Sequence, residues 1–240
     1  MNYFDRLRNE KRSVELTQKT LLRNDYLMKK EGVLEIYYAP FEYINDQASV
    51  IIVGITPGWQ QMQDSFKIAI ESIHNGLSME ESLKNVKKHS SFVGSMRTNL
   101  VEMLDGLKLN EKLKIQSSLS LFNEHNHLLH TTSALRYPVF KDGKNYTGSS
   151  PSPIKNSFLW EEINDSLVNE MSLFKSKLII PLGKTVSEIL SQIKSDGKLN
   201  ENILLDGFPH PSGANGHRKK QFQMNSSNMA KKIKDWKINN

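Results

Sequence analysis

Ala48-Ser49-Val50-Ile51-Ile52-Val53-Gly54-Ile55-Thr56-Pro57-Gly58 is the segment whose reading decides the fold. Its run Val50–Val53 is wholly β-branched, the composition of a strand covered on both faces, as strands of parallel sheets are. Gly54, Pro57 and Gly58 then turn the chain. Beyond Trp59, apolar residues from Met62 to about Leu83, including Phe66, Ile70 and Ile73, recur at helical spacing, and a further helix is predicted over Val93–Leu104. A buried strand, a glycine-rich turn and helices together open an α/β unit. Downstream, Asn126–Leu135 reads as a second strand. A helix follows around Leu159–Leu173, then a strand over Lys177–Gly183, a helix over Lys184–Ile193 and a short strand over Ile203–Phe208.

This alternation predicts an α/β fold of three layers, α/β/α, around a central, mainly parallel four-stranded sheet. Outward from it, residues 3–31 are charged, with Leu7, Val14, Leu16, Leu21 and Leu22 spaced as on one helical face, so one or two helices are expected there. Leu34–Phe41 reads as a strand. The expected organisation is a single domain over 1–240: a helix-and-strand cover over 1–45, the α/β core over 46–220 and a Lys-rich C-terminal helix over 221–240. Ligands of such sheets sit beyond the strands' C-terminal ends, where both Gly54–Gly58 and a loop around His210 fall. Lys141–Pro153, rich in Gly, Ser, Asn and Pro, is expected as a loop on that same edge. Asn145 and Tyr146 are its candidate contacts to a base or phosphate.

Of the 240 residues, 38% are hydrophobic and 24% charged, a balance that favours a folded chain over a disordered one. Lys and Arg number 32 against 26 Asp and Glu, a net +6 that suits a polyanionic partner. There is no cysteine, which excludes disulfides, thiolate metal sites and cysteine nucleophiles. No apolar run approaches the ~20 residues that span a bilayer, and the N-terminus lacks a signal core, so a cytoplasmic monomer without membrane contact is expected. His125, His127 and His130 fall on one predicted strand. Alternation turns the first two to one face and the third to the other, so no metal centre is expected, and no cofactor.

Two segments carry the chemistry. Gly54–Gly58 offers main-chain N–H groups to a ligand that approaches closely, because its glycines have no side chains. Gly207-Phe208-Pro209-His210-Pro211-Ser212-Gly213-Ala214-Asn215 holds a histidine between two prolines, which restrict the backbone that aims the imidazole. In this order, the two segments resemble the uracil-DNA glycosylase superfamily, whose members open with a G-x-x-P-G or G-x-D-P-Y turn and close with an H-P-S loop. Leu178–Thr185 is similar to that family's third strand turning into a helix. The resemblance spans about residues 50–220.

The resemblance implies a DNA partner and a hydrolysis of the N-glycosidic bond, with the two segments as walls of the active site. A base must leave the stack to be cut, at a cost of a few kcal/mol that phosphate contacts and a wedge in the duplex recover. Ser212, Gly213, Ala214, Asn215, His217, Arg218, Lys219 and Lys220 are the expected DNA contacts. His210 is the implied donor to the departing base, on which negative charge develops. Gly54, Ile55, Pro57, Gly58, Trp59 and Gln60 are expected to line the base site, with Trp59 or Phe92 as stacking candidates.

Departures from the family pattern refine this expectation. Thr56 stands where many members have Asp or Asn to position water; Thr cannot be a general base but can orient a water, with Gln60, Gln61 or Asp64 a turn later. Where the family has an Asn on its second strand to read the pyrimidine edge, this chain offers His130 or Thr131. Gly58 replaces the Tyr that walls off C5 of the base in strict uracil enzymes. A modified pyrimidine is therefore expected, such as glucosylated hydroxymethylcytosine of bacteriophage DNA in antiviral defence. The alternatives are uracil or mismatch repair and a catalytically inert DNA-binding relative. The absence of cysteine separates the chain from iron–sulfur branches of the superfamily. Gly183-Lys184-Thr185 fails as a phosphate-binding loop because the required first glycine would be Leu178, and no G-x-S-x-G elbow is present.

Overall fold

The computed structural model describes residues 3–199 and 201–238. Its eight strands, in chain order, are β1 (Leu27–Glu31), β2 (Leu34–Tyr37), β3 (Val50–Gly54), β4 (Leu129–Ser133), β5 (Val139–Lys141), β6 (Lys144–Asn145), β7 (Leu178–Pro181) and β8 (Ile203–Leu204). They form two four-stranded sheets, β4-β3-β7-β8 and β1-β2-β5-β6. The chain divides into two compact units, residues 44–55, 92–134 and 163–240 in one, residues 1–43, 56–91 and 135–162 in the other. Each sheet belongs to one unit.

The first unit holds the expected parallel sheet. β3 pairs in parallel with β4, Gly54 opposite Ser133, and with β7, Val50 opposite Leu178; β7 pairs in parallel with β8. Every residue of β3 is buried, as its β-branched run predicts. On one face, Val50, Ile52, Leu178 and Ile180 join Leu100 and Leu104 of the helix Ser95–Gly106 and Met229, Ile233 and Trp236 near the chain's end in one apolar cluster. Burying each such aliphatic side chain contributes roughly 1.5–3 kcal/mol, which is what holds these helices to the sheet. The C-terminal helix spans Arg218–Asp235, and the helix after β7 spans Lys184–Ser195. Of the three histidines expected on one strand, only His130 lies on β4; His125 and His127 belong to the turn before it, around the short helix Asn126–Leu128. Among the described residues, no group of three or more His, Asp or Glu is placed to hold a metal, and no helix is long and apolar enough to cross a membrane.

The second unit departs from expectation in its sheet, which is antiparallel throughout. Residues 3–31, read as helical, contain only the short helices Tyr3–Leu7 and Gln18–Leu21 before β1. β1, Leu-Met-Lys-Lys-Glu, has no β-branched residue; its strand state comes from pairing with β2, reinforced by Lys30–Glu35 at 2.7 Å. The loop expected over Lys141–Pro153 begins as a hairpin instead. Asp142 and Gly143 both take positive φ, 50° and 70°, the signature of a two-residue turn between β5 and β6. The helix expected from Met62 to Leu83 is two helices, Trp59–His74 and Met79–Ser90. Gly76, at φ 80°, stops the first, and a Ser78–Glu81 capping box starts the second. Tyr26, Tyr37, Tyr38, Phe41, Met62, Phe66 and Phe140 make the core of this unit.

Candidate active site

β3 ends at Gly54, whose carbonyl accepts from Ala134 N at 2.8 Å. The space a side chain would occupy there is bounded by Ser133 Oγ at 3.5 Å and the edge of the Phe92 ring at 3.8 Å. The Ser133 hydroxyl and the edge of the Phe92 ring therefore lie beside Gly54 at the C-terminal end of the parallel strands. Phe92 takes φ 50°, a left-handed conformation that costs a bulky residue on the order of 1–3 kcal/mol and is found where function holds a side chain in place. Arg97 Nε donates to its carbonyl at 3.2 Å.

His130 and Thr131, the expected base readers, sit lower on β4, opposite Ile51 and Ile52. His130 is 2% exposed: Nδ1 accepts from Asn45 N at 3.4 Å, Nε2 meets Glu170 Oε1 at 2.6 Å, and the ring stacks on Phe174. Both ring nitrogens are thus committed to the interior of the unit. Ser133, which the sequence reading did not single out, is the β4 side chain level with Gly54. Only strand register identifies it, and register is not visible in the segment itself.

In the same unit, the His210 loop follows β8. Ser212 N donates to His210 Nδ1 at 3.2 Å, so in the neutral ring the proton resides on Nε2, which is left as the donor. Burial pushes the His210 pKa below its ordinary value, and protonating Nδ1 would also set two donors against each other. Behind the imidazole lies Gly183, with φ 93° and ψ 170°; a β-carbon there would stand 3.2 Å from His210 Cβ. This backbone region is essentially reserved for glycine.

Side-chain donors take three successive carbonyls of the loop. Asn215 Nδ2 bonds His210 O at 3.2 Å, Asn99 Nδ2 bonds Pro211 O at 2.9 Å, and Arg218 bonds Ser212 O at 3.0 Å while its other terminal nitrogen bonds Asn99 Oδ1 at 3.0 Å. Asn99 is a second residue the sequence did not reveal, because it lies on a helix remote in sequence. Arg218 and Asn215, expected as DNA contacts, spend these groups on the loop's shape. Ser212 Oγ accepts from Ala214 N at 3.2 Å, and Gly213, Ala214, Gly216, His217, Lys219 and Lys220 are exposed.

The remaining turn residues belong to the antiparallel unit. Thr56 Oγ1 donates to Tyr137 O at 3.0 Å and accepts from Val139 N at 3.1 Å. One lone pair of that hydroxyl remains. Tyr137 is itself held by its hydroxyl, which donates to Glu42 Oε1 at 3.3 Å. Pro57 is buried, and Gly58 N donates to Gln61 Oε1 at 3.2 Å. Trp59 packs against the aromatic core of its unit, and Trp59 N donates to Asn145 Oδ1 at 3.0 Å. Gln60 is exposed and turned along its helix to Asp64 Oδ1 at 3.0 Å. Tyr146 is buried, its hydroxyl donating to Pro151 O, and burial pushes its pKa up to about 12.

Comparison with known proteins gives three findings. Residues 41–237 match the model of the uracil DNA glycosylase superfamily. An uncharacterized protein, YoxB, of Bacillus subtilis (strain 168) is 41% identical over 226 residues, covering 92% of this chain and 87% of that protein. The crystal structure of wild-type Pedobacter heparinus SMUG2 aligns with a TM-score of 0.49 at 14% identity, covering 98% of this chain and 97% of that one.

Proposed function

Because the chain belongs to the uracil-DNA glycosylase superfamily and is a DNA glycosylase, we propose that it removes a modified pyrimidine, with His210 as the donor to the leaving base. The observation that carries this reading is the bond from Ser212 N to His210 Nδ1 at 3.2 Å, which leaves the Nε2 proton of a neutral ring to be offered. In the proposed reaction the bond between C1′ and the base nitrogen breaks, its electron pair leaving with the base. Nε2–H hydrogen-bonds to the base oxygen on which that charge gathers, an interaction that strengthens as the bond lengthens. A water oxygen bonds to C1′ and its proton passes to solvent. Thr56 contributes orientation only, since its hydroxyl has a single lone pair left to accept from that water. The exposed Gly213, Ala214, Lys219 and Lys220 meet the DNA; Phe92, buried in the apolar cluster with its edge towards Gly54, contributes packing behind the turn.

Gly58 supports the choice of a modified base, because the family's C5 wall has no side chain here. Hydroxymethylated and glucosylated cytosine of phage DNA fit such an opening, which would make the role defensive. The test is mass analysis of bases released from duplexes carrying uracil, thymine mismatches, hydroxymethylcytosine and its glucosylated form. Release of a C5-substituted base ahead of uracil is the expected result. Efficient uracil release with substituted duplexes left intact would sink the assignment and make the enzyme a repair glycosylase.

A further inference from the structure

Near its end, the C-terminal helix Arg218–Asp235 forms one wall of a groove of about 740 Å³; the short helix Leu109–Leu113 and the two residues before it form the other. Both walls belong to the parallel-sheet unit. The groove is mostly apolar at its base, where Leu107 and Ile233 are anchored in the core cluster and half-buried Ala230 offers only a methyl group. Lys108, Lys112, Lys231 and Lys234 rim it, against a single carboxylate, Glu111. Lys112 Nζ donates to Lys234 O at 2.8 Å and so ties the two walls together. Glu111 meets Lys108 at 3.4 Å, but both side chains are well exposed and such a pair is easily exchanged for another. Lys231 and Lys234 are exposed and stand one turn apart on the same face, an arrangement of like charges that weakens a helix. Among the described residues neither amine has a partner.

We propose that this groove docks an acidic segment of a partner protein, with one aliphatic or aromatic side chain seated on Leu107, Ala230 and Ile233 and flanking Asp or Glu residues facing the lysines. The charge of the rim selects the partner's sign, and the apolar base selects a peptide among polyanions. A phosphate backbone could meet the lysines but has nothing to place on the base of the groove. A bilayer is met by protruding apolar side chains, not by a concave floor. Ala230 lies twelve residues beyond Arg218, about 18 Å along the helix at 1.5 Å per residue, so a segment docked there leaves the His210 loop free. The helix would then carry DNA contacts at its start and a protein contact near its end.

The test titrates the full chain with a panel of short, fluorescein-labelled acidic peptides that carry Leu, Ile or Phe between aspartates at varied spacings, read by anisotropy. A second panel has Ser at every apolar position. Members of the first panel should bind with a salt-dependent Kd and shift the methyl NMR signals of Leu107, Ala230 and Ile233. Their serine counterparts should bind at least about tenfold more weakly, the loss expected for one buried aliphatic side chain. Lys231→Glu combined with Lys234→Glu, both at exposed positions, should weaken binding by roughly tenfold or more while single-turnover excision at saturating enzyme stays at the wild-type rate. Three results overturn the proposal: no binding across the first panel, equal binding of the serine panel, or binding untouched by the charge reversal. Duplex DNA that shifts the same methyl signals would overturn it too, by making the groove a nucleic-acid surface. The methyl shifts are read on the wild type, so the proposal stays open to refutation even if the double variant folds poorly. None of these outcomes bears on which base is excised, which the released-base analysis decides separately.

Discussion

At the scale of the residue, His210 shows how one hydrogen bond fixes a chemical role. With Nδ1 taken by Ser212 N, the ring works as a neutral donor, and burial holds its pKa below the ordinary value of about 6.5. The sign of the pH dependence follows. Excision should be full above pH ~6.5 and fall only as the pH drops through the lowered pKa, when the ring takes a second proton. The stability that this half-buried neutral ring contributes should be lost over the same acid window, since the unfolded chain binds that proton more readily. A pH profile of single-turnover excision, alongside His210→Ala, tests this. The variant should lose on the order of 10²–10³-fold in rate with DNA affinity little changed, and its profile should lack the acid limb. His210 was legible in the sequence because two prolines frame it. Ser133, His130 and Asn99 were not, since what each does depends on which distant segment it faces. His130 is the clearest case: it looked like a base reader on a strand and is instead sealed against Glu170 and Phe174.

Among the elements, the parallel strands were readable because their burial is written into continuous runs such as Val50–Val53 and Leu178–Pro181. β1 was not, because a strand made of Leu, Met, Lys and Glu is defined by its partner rather than by its own propensities. The helix broken at Gly76 carried a readable sign in Ser78 and Glu81, whose capping box outweighs the apolar period that continues across it. The junction of β7 with its following helix is where an element sets the site. Gly183 holds a backbone conformation that other residues avoid and abuts His210 Cβ. Gly183→Ala should destabilise the protein by roughly 1–3 kcal/mol, visible as a lower melting temperature, and should cut kcat more than it raises KM because the imidazole is displaced. An alanine variant with wild-type kcat would show that the loop tolerates the shift.

For the whole molecule, net charge and fold class were legible, and of the second sheet β2 was, inside the expected strand Leu34–Phe41. β1 and the β5–β6 hairpin were not, being short or polar strands whose signal is no stronger than that of a loop. The net charge of +6 has a measurable consequence. The logarithm of kcat/KM on duplex DNA should fall linearly with the logarithm of salt concentration, with a slope near −0.9 for each phosphate neutralised. Lys219→Ala and Lys220→Ala should each make that slope shallower by about one while leaving the preference among bases intact. A slope unchanged in both would move the DNA contact away from the start of the C-terminal helix.

The His-Pro-Ser loop is not a self-sufficient cassette. One of the three donors that hold its carbonyls, Asn99, comes from 112 positions earlier in the chain. Transplanting residues 207–215 alone into another α/β scaffold would carry the imidazole across without the bracket that aims it. A working graft must bring the opposing face of the Ser95–Gly106 helix and Arg218 along with it.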